Sequence, residues 1–236
     1  MICGIMQPYF FPYVGYFSLV EYSDKFIFFD TPQYISHGWV NRNRILNQNG
    51  KPAYMIVPIK KCPRETPINK IEIVNENGWK EKIYGQITVY KKKAPFYKET
   101  EEFLHYVLDE FDGVSLSELN IRTIIESCKK IGIDYKYDVF SKMNLDISPV
   151  HEPDEWALNI TKFLKGDIYV NPPGGQSFFD KSKYDKENIK LQFLESNLRR
   201  YVQRIGRFEP GLSILDVMMF CNNKEAKEII QDYKII

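Results

Sequence analysis

Four groups of residues in this chain have the types and spacing that chemistry needs. The first is Gln7, Tyr13, Gly15 and Tyr16, in the run MQPYFFPYVGYFSLV, where an apolar start (Ile2 to Met6) gives way to a crowded turn and then a short amphipathic segment. This pattern predicts a strand, a loop and a helix, with an amide and two phenols around the helix N-terminus and Gly15 open to close backbone approach. In the second group Gln33, His37, Trp39, Asn41, Arg42, Asn43 and Arg44 crowd between two apolar strands, where a plain connection would use Gly, Ser and Pro. Two arginines one residue apart, flanked by amides, suit a phosphate or carboxylate through bidentate contacts. The alternative is a hydrogen-bonded loop scaffold. Asp30, closing the run Phe26 to Phe29, and His37 are the candidates for a base.

The third group is Asn171, Gly174 and Gly175 in the loop NPPGGQSFFD. It follows a predicted buried strand (Asp167 to Val170), as the first loop follows one, so both belong at the same edge of a parallel sheet, where a glycine pair can cradle a phosphate or carboxylate through the backbone. The fourth is Tyr201, Gln203 and Asp216, with Ser213. Their types suit a polar small molecule; equally, Ser213 caps a helix and Asp216 holds a buried tyrosine.

Several chemistries lack their signatures. The three histidines (His37, His105, His151) show no i, i+3 or i, i+4 pairing for zinc, and the four cysteines (Cys3, Cys62, Cys128, Cys221) form no C-x-x-C pair. No P-loop, dinucleotide fingerprint or G-x-S-x-G elbow is present. Thirty-two Lys and Arg against 31 Asp and Glu give a net charge of +1, no field for a polyanion. The scattered cysteines, read as reduced buried thiols, and the lack of a signal-peptide pattern predict a cytoplasmic protein. No apolar run approaches the ~18 residues of a spanning helix, so any membrane association is expected to be peripheral, at the inner membrane.

The elements that must position these groups follow from periodicity. Ala53 to Ile59 and Ile68 to Ile73 read as strands, and Gly78 to Asp112 as two helices. A third helix runs from a cap at Ser115 or Ser117 through Ile131 to Gly132. Then come a strand over Asp134 to Val139, an irregular connector over 141–150, and a helix opening at Asp154. Strands over 167–170 and 189–194 follow, and last a helix near Ser213 and another over Lys224 to Tyr233. A 236-residue chain with no internal repeat or linker is expected to form one domain over 1–236, with 79–133 as a helical subdomain within it.

Two resemblances add to this reading. Tyr13-Val14-Gly15-Tyr16, between an apolar strand and a short helix, stands where the H-x-G-H signature lies in nucleotidyltransferases of the HUP superfold, which it resembles in spacing. The histidines are replaced by tyrosines, weaker donors to phosphate. The fold expectation is therefore α/β, a Rossmann-like (HUP-type) parallel sheet with a helical subdomain or insertion. More of the chain is covered by the second: MQPYFFPYVGYFSLV, WVNRNRI, YVNPPGG and YVQRIGRFEPGLSILDVMMF, in this order, resemble the WbqC-like family of O-antigen and surface-polysaccharide gene clusters. That resemblance implies a glycine transferase, attaching glycine or another aminoacyl group to the amine of a nucleotide-linked or lipid-linked amino sugar in lipopolysaccharide biosynthesis. The donor would be ATP-activated or an aminoacyl-tRNA. The alternatives are a non-catalytic nucleotide- or sugar-binding scaffold for polysaccharide enzymes and a nucleotidyltransferase.

Overall fold

A computed structural model describes residues 1–147 and 149–236; Ser148, in the connector 141–150, lies outside the described residues. In chain order the elements are β1 (Ile2–Met6), α1 (Val14–Tyr22), β2 (Lys25–Phe28), β3 (Arg42–Leu46), β4 (Pro52–Ile56), α2 (Trp79–Ile87), α3 (Tyr97–Asp109) and α4 (Leu116–Ile131). They continue as β5 (Tyr137–Val139), α5 (Glu155–Phe163), β6 (Ile168–Asn171), α6 (Lys181–Lys186), β7 (Lys190–Ser196), α7 (Ile214–Phe220), α8 (Asn223–Ile230) and β8 (Tyr233–Ile235).

The sheet order is β5-β2-β1-β6-β7-β8, parallel except for the antiparallel edge strand β8. Chain order runs outward in one direction from β1 to β2 and β5, and in the other through β6 and β7. That is the doubly-wound Rossmann order, with its topological switch point between β1 and β6. Side chains alternate across the pleat. Ile5, Ile27, Tyr169 and Leu191 join Ala157, Leu158, Ile160 and Tyr184 of α5 and α6 on one face, while Phe26, Phe28, Val170 and Leu194 join the larger core containing α1, α4, α7 and α8. Covered on both faces, β1 and β2 need the near-continuous apolar runs the sequence supplies.

The hairpin β3–β4 and the helices α2, α3 and α4 are inserted between β2 and β5. Ser115 caps α4 by accepting from the Glu118 N–H, and Gly132 ends it in the left-handed region at φ 83°, both as expected. Three expectations are corrected. Arg42–Leu46, read as a loop, is a strand: Asn43, Ile45 and Leu46 are buried while Arg42 and Arg44 lie at the boundary, so long polar side chains mask an edge-like alternation. Ile68 to Ile73, read as a strand, forms a 3-10 turn over Ile68–Lys70 and isolated bridges, because Ile68, Ile71 and Ile73 reach the core from a kinked path with prolines at 63 and 67. The final helix stops at Ile230, and β8, unpredicted, pairs with β7 through Leu194–Ser196.

The β1–α1 loop is itself buried, with Phe10 and Phe11 fully inaccessible. Backbone polar groups out of water must be paired, and four side chains do this. Asn43 donates to the carbonyls of Phe10 and Phe11 (3.3 and 2.7 Å), and Asn120 donates to those of Pro8 and Val40 (3.0 and 2.7 Å). Thr123 accepts from the Phe11 N–H at 3.2 Å, and Ser213 donates to the Phe11 carbonyl at 2.9 Å. Phe11 is thereby held at φ 40°, a conformation non-glycine residues rarely adopt.

Candidate ligand-binding crevice

At the carboxyl ends of β1, β2 and β6 a crevice of about 640 Å3 opens, at the switch point where open α/β sheets take their ligands. Met6 and Gln7 leave β1 into it, Phe29 and Thr31 leave β2, and Asn171 ends β6. Its lining is aromatic: Trp156 from α5, Phe178 and Phe179 from the loop before α6, and Tyr9 and Tyr169. Besides the two tyrosines, the polar side chains are the amides of Gln7, Gln33 and Asn171 and the hydroxyl of Thr31. The Gln7 and Gln33 side chains have no hydrogen-bond partner among the described residues. The Asn171 amide donates to the Tyr169 hydroxyl at 2.5 Å, and burial holds that phenol well above its usual range. Apart from tyrosine, no side chain lining the crevice is ionisable.

Asp154, at the start of α5, locks the two walls together. Its carboxylate accepts from Lys183 Nζ at 2.9 Å and from the Asp180 N–H at 3.3 Å, and its carbonyl accepts from the Tyr184 hydroxyl at 3.2 Å. The carboxylate is 8% exposed, so removing it leaves Lys183 half-paired beside Glu155. Asp154→Ala is expected to cost about 2 kcal/mol, read by urea denaturation.

Of the sequence-predicted residues, Gln7 and Asn171 meet in this crevice. Gly174 is exposed in the 3-10 turn Pro173–Gly175, while Gly175 packs so closely that an added Cβ would lie 2.6 Å from Asn171 Oδ1 and 2.8 Å from Phe179. Gly175 therefore lets Asn171 and Phe179 come together. Asp30 lies just behind the rim but is 2% exposed, and its two oxygens accept from the Ser141 N–H (3.0 Å) and hydroxyl (2.6 Å). His37 is exposed, at φ 61°, and its carbonyl and that of Gly38 accept from Arg42, whose guanidinium lies 4.4 Å from the Tyr54 ring. Asn41 links the Tyr34 hydroxyl to the Val57 carbonyl, and Asn43 supports the buried loop. Tyr16 is in the core, its hydroxyl donating to the Gln7 carbonyl at 3.1 Å.

Tyr13 and Arg44 line a separate, smaller cavity with Tyr9 and Trp39. Gly15 makes room for the Tyr13 side chain: a Cβ there would lie 2.6 to 2.7 Å from two ring carbons and the hydroxyl oxygen. Gly15→Ala improves helix propensity by about 1 kcal/mol, so the expected result is unchanged stability with a displaced Tyr13. Burial raises the Tyr13 phenol's pKa; in the variant it should fall toward the ordinary value, followed by 13Cζ-tyrosine NMR.

Tyr201, Gln203 and Asp216 assemble elsewhere, with Tyr90. The Asp216 carboxylate accepts from the hydroxyls of Tyr90 (2.6 Å) and Tyr201 (2.5 Å) and from Gln203 Nε2 (2.7 Å). It is fully buried, and desolvation raises its pKa despite these three donors. Ser213 caps α7 by accepting from the Leu215 N–H at 3.3 Å.

Sequence reasoning missed Tyr9, Trp156, Phe178 and Phe179 as wall residues. The first and the last two lie inside the distinctive loops, which was a usable signal; Trp156 reads only as one apolar position of an amphipathic helix.

A Rossmann-ordered sheet with an aromatic, amide-bearing crevice at its switch point defines a doubly-wound α/β protein. The sequence model of the WbqC-like protein family matches residues 7–228, and the chain belongs to that family. It is 26% identical over 229 residues to uncharacterized protein Rv1507c of Mycobacterium tuberculosis (strain ATCC 25618 / H37Rv), a match covering 97% of this chain and 96% of the relative. No solved structure matches. Among the described residues no helix is long and apolar enough to cross a membrane.

Proposed function

We propose that the crevice binds a nucleotide-linked or lipid-linked amino sugar and that the chain is a transferase of surface-polysaccharide (O-antigen) biosynthesis, placing glycine or another aminoacyl group on the sugar amine. It would act in the cytoplasm or peripherally at the inner membrane. The observation that carries this reading is the lining of the crevice. Flat apolar walls (Trp156, Phe178, Phe179) suit the faces of a sugar or base, and the free amides of Gln7 and Gln33 suit hydroxyls. Crossing the rim past Gln7, Pro32 and Gln33, the crevice continues into a trough bearing Lys60, Lys61 and Arg64, cations for a diphosphate.

In the reaction the sugar amine would attack the acyl carbonyl of an activated donor, forming the amide as the bond to the leaving group breaks; the amine proton goes to that leaving group or to water. With no carboxylate or imidazole in the lining, rate enhancement would come from positioning. The same lack favours a second reading, a non-catalytic sugar- or nucleotide-binding scaffold. Incubation with glycine, ATP and a nucleoside-diphosphate amino sugar, with and without charged transfer RNA, distinguishes the two by mass spectrometry. A glycyl-sugar product supports the transferase; saturable sugar binding with no product under either condition supports the scaffold. Pyrophosphate release from a nucleoside triphosphate and a sugar phosphate would instead indicate a nucleotidyltransferase.

A further inference from the structure

The smaller cavity, about 330 Å3, stands beside the crevice and shares Tyr9 with it. Arg44, on β3, makes no ion pair and no side-chain hydrogen bond among the described residues, and its Nε is buried without a partner. Its guanidinium lies 5.3 Å from the centroid of the Trp39 ring, another lining residue. A buried N–H left unpaired is costly, and Arg is rarely buried without an acceptor. Tyr9 and Tyr13 line the same space, and their hydroxyls have no hydrogen-bond partner among the described residues; that of Tyr13 lies over Gly15 at the start of α1. Burial raises both phenols, Tyr9 to about 12, so they stay protonated and can donate. Next to them α1 starts at Val14 with no side-chain cap and no acid in its first turn, leaving the positive end of its dipole uncompensated within the chain.

We propose that this cavity is an anion site, taking a single carboxylate or phosphate of a small ligand, with Arg44 as counter-ion, the Tyr9 and Tyr13 hydroxyls as further donors, and Trp39 against the ligand's body. Three groups able only to donate, or free to, converge on one pocket, and an acceptor-rich anion is the chemistry that satisfies all of them. The site goes beyond the reading of the crevice and stands whether or not a sugar binds there.

Isothermal titration of the full chain with inorganic phosphate and, separately, with acetate at low ionic strength tests it. The expected result is saturable binding of at least one of them, one per chain, weakened tenfold or more by Arg44→Met. It should be weakened about threefold by Tyr13→Phe, which removes a hydroxyl without a hydrogen-bond partner among the described residues. Lys98→Ala, on the exposed face of α3, should leave it unchanged. Tighter phosphate identifies a phosphate-bearing ligand, tighter acetate a carboxylate-bearing one. Absence of saturable binding of either anion overturns the proposal, as does binding that Arg44→Met and Tyr13→Phe leave intact. If Arg44→Met does not fold, Tyr13→Phe alone decides.

Discussion

Replacing Asp216 by alanine is expected to lower the stability of the folded chain by about 3 kcal/mol, measured as a shift of the urea midpoint at neutral pH. The carboxylate is the common acceptor of Tyr90, Tyr201 and Gln203, and α7 around it is otherwise buried and apolar. Truncation leaves three buried donors with one acceptor fewer each. Partial compensation comes from what they retain: Tyr90 still accepts from the Leu46 N–H at 2.8 Å, and Gln203 still donates to the Glu209 carbonyl at 3.0 Å. The Leu46 contact lies on β3, so the effect is felt in the hairpin as well as in α7. The pH dependence has a definite sign. Desolvation raises the folded-state pKa of Asp216 above its unfolded value, so the folded state holds this proton more tightly. The part of its contribution that comes from this proton is fully present below the ordinary carboxylate pKa of about 4 and is lost as pH rises through the raised value, while the three hydrogen bonds to the carboxyl group remain. The stability difference between wild type and Asp216→Asn should therefore be largest in acid and shrink toward neutral pH.

Trp156→Ala is expected to weaken binding of a nucleoside-diphosphate amino sugar by roughly 30-fold, about 2 kcal/mol. Trp156 is half-buried, and its ring meets Phe29 at 5.7 Å and Phe140 at 5.7 Å. Those two rings fix its orientation while its remaining face lines the crevice. Some stability is lost with it, about 2 kcal/mol, less than for a fully buried tryptophan. Phe178→Ala separates the effects. Phe178 is 53% exposed and also lines the crevice, so its removal should cost affinity with little stability. Calorimetry on both variants, beside their thermal midpoints, checks this.

Much of the sheet was legible because its signals are local. The apolar runs of β1 and β6, each followed by a loop and a helix, give a parallel order, and the placing of Gln7 and Asn171 at one edge follows from that order. β3 was not legible, since the alternation of Arg42, Asn43 and Arg44 carries no apolar period. Only the antiparallel register with β4, Arg42 opposite Ile56 and Arg44 opposite Tyr54, makes it a strand. β8 needs β7 as a template and has no signal of its own. In the site, residue type was ambiguous: Arg42 and Arg44 look equivalent in sequence, yet the backbone carbonyls of His37 and Gly38 take up Arg42 while Arg44 faces a cavity. Asp216 and Asp30 likewise have the right chemistry for a site, and what decides their surroundings is contact with residues up to 126 and 111 positions away. Aromatic walls were hidden by abundance, because with 16 Tyr and 16 Phe in the chain no single ring stands out until the fold places it.

On the proposed function, the switch-point crevice between β1 and β6 holds the sugar ligand. A crystal of the chain soaked with a nucleoside-diphosphate amino sugar tests it most directly. Ligand density is expected against Trp156, Phe178 and Phe179, with sugar hydroxyls within hydrogen-bond distance of Gln7 or Asn171. Density for the ligand elsewhere on the chain, with this crevice empty at saturating concentration, would contradict it.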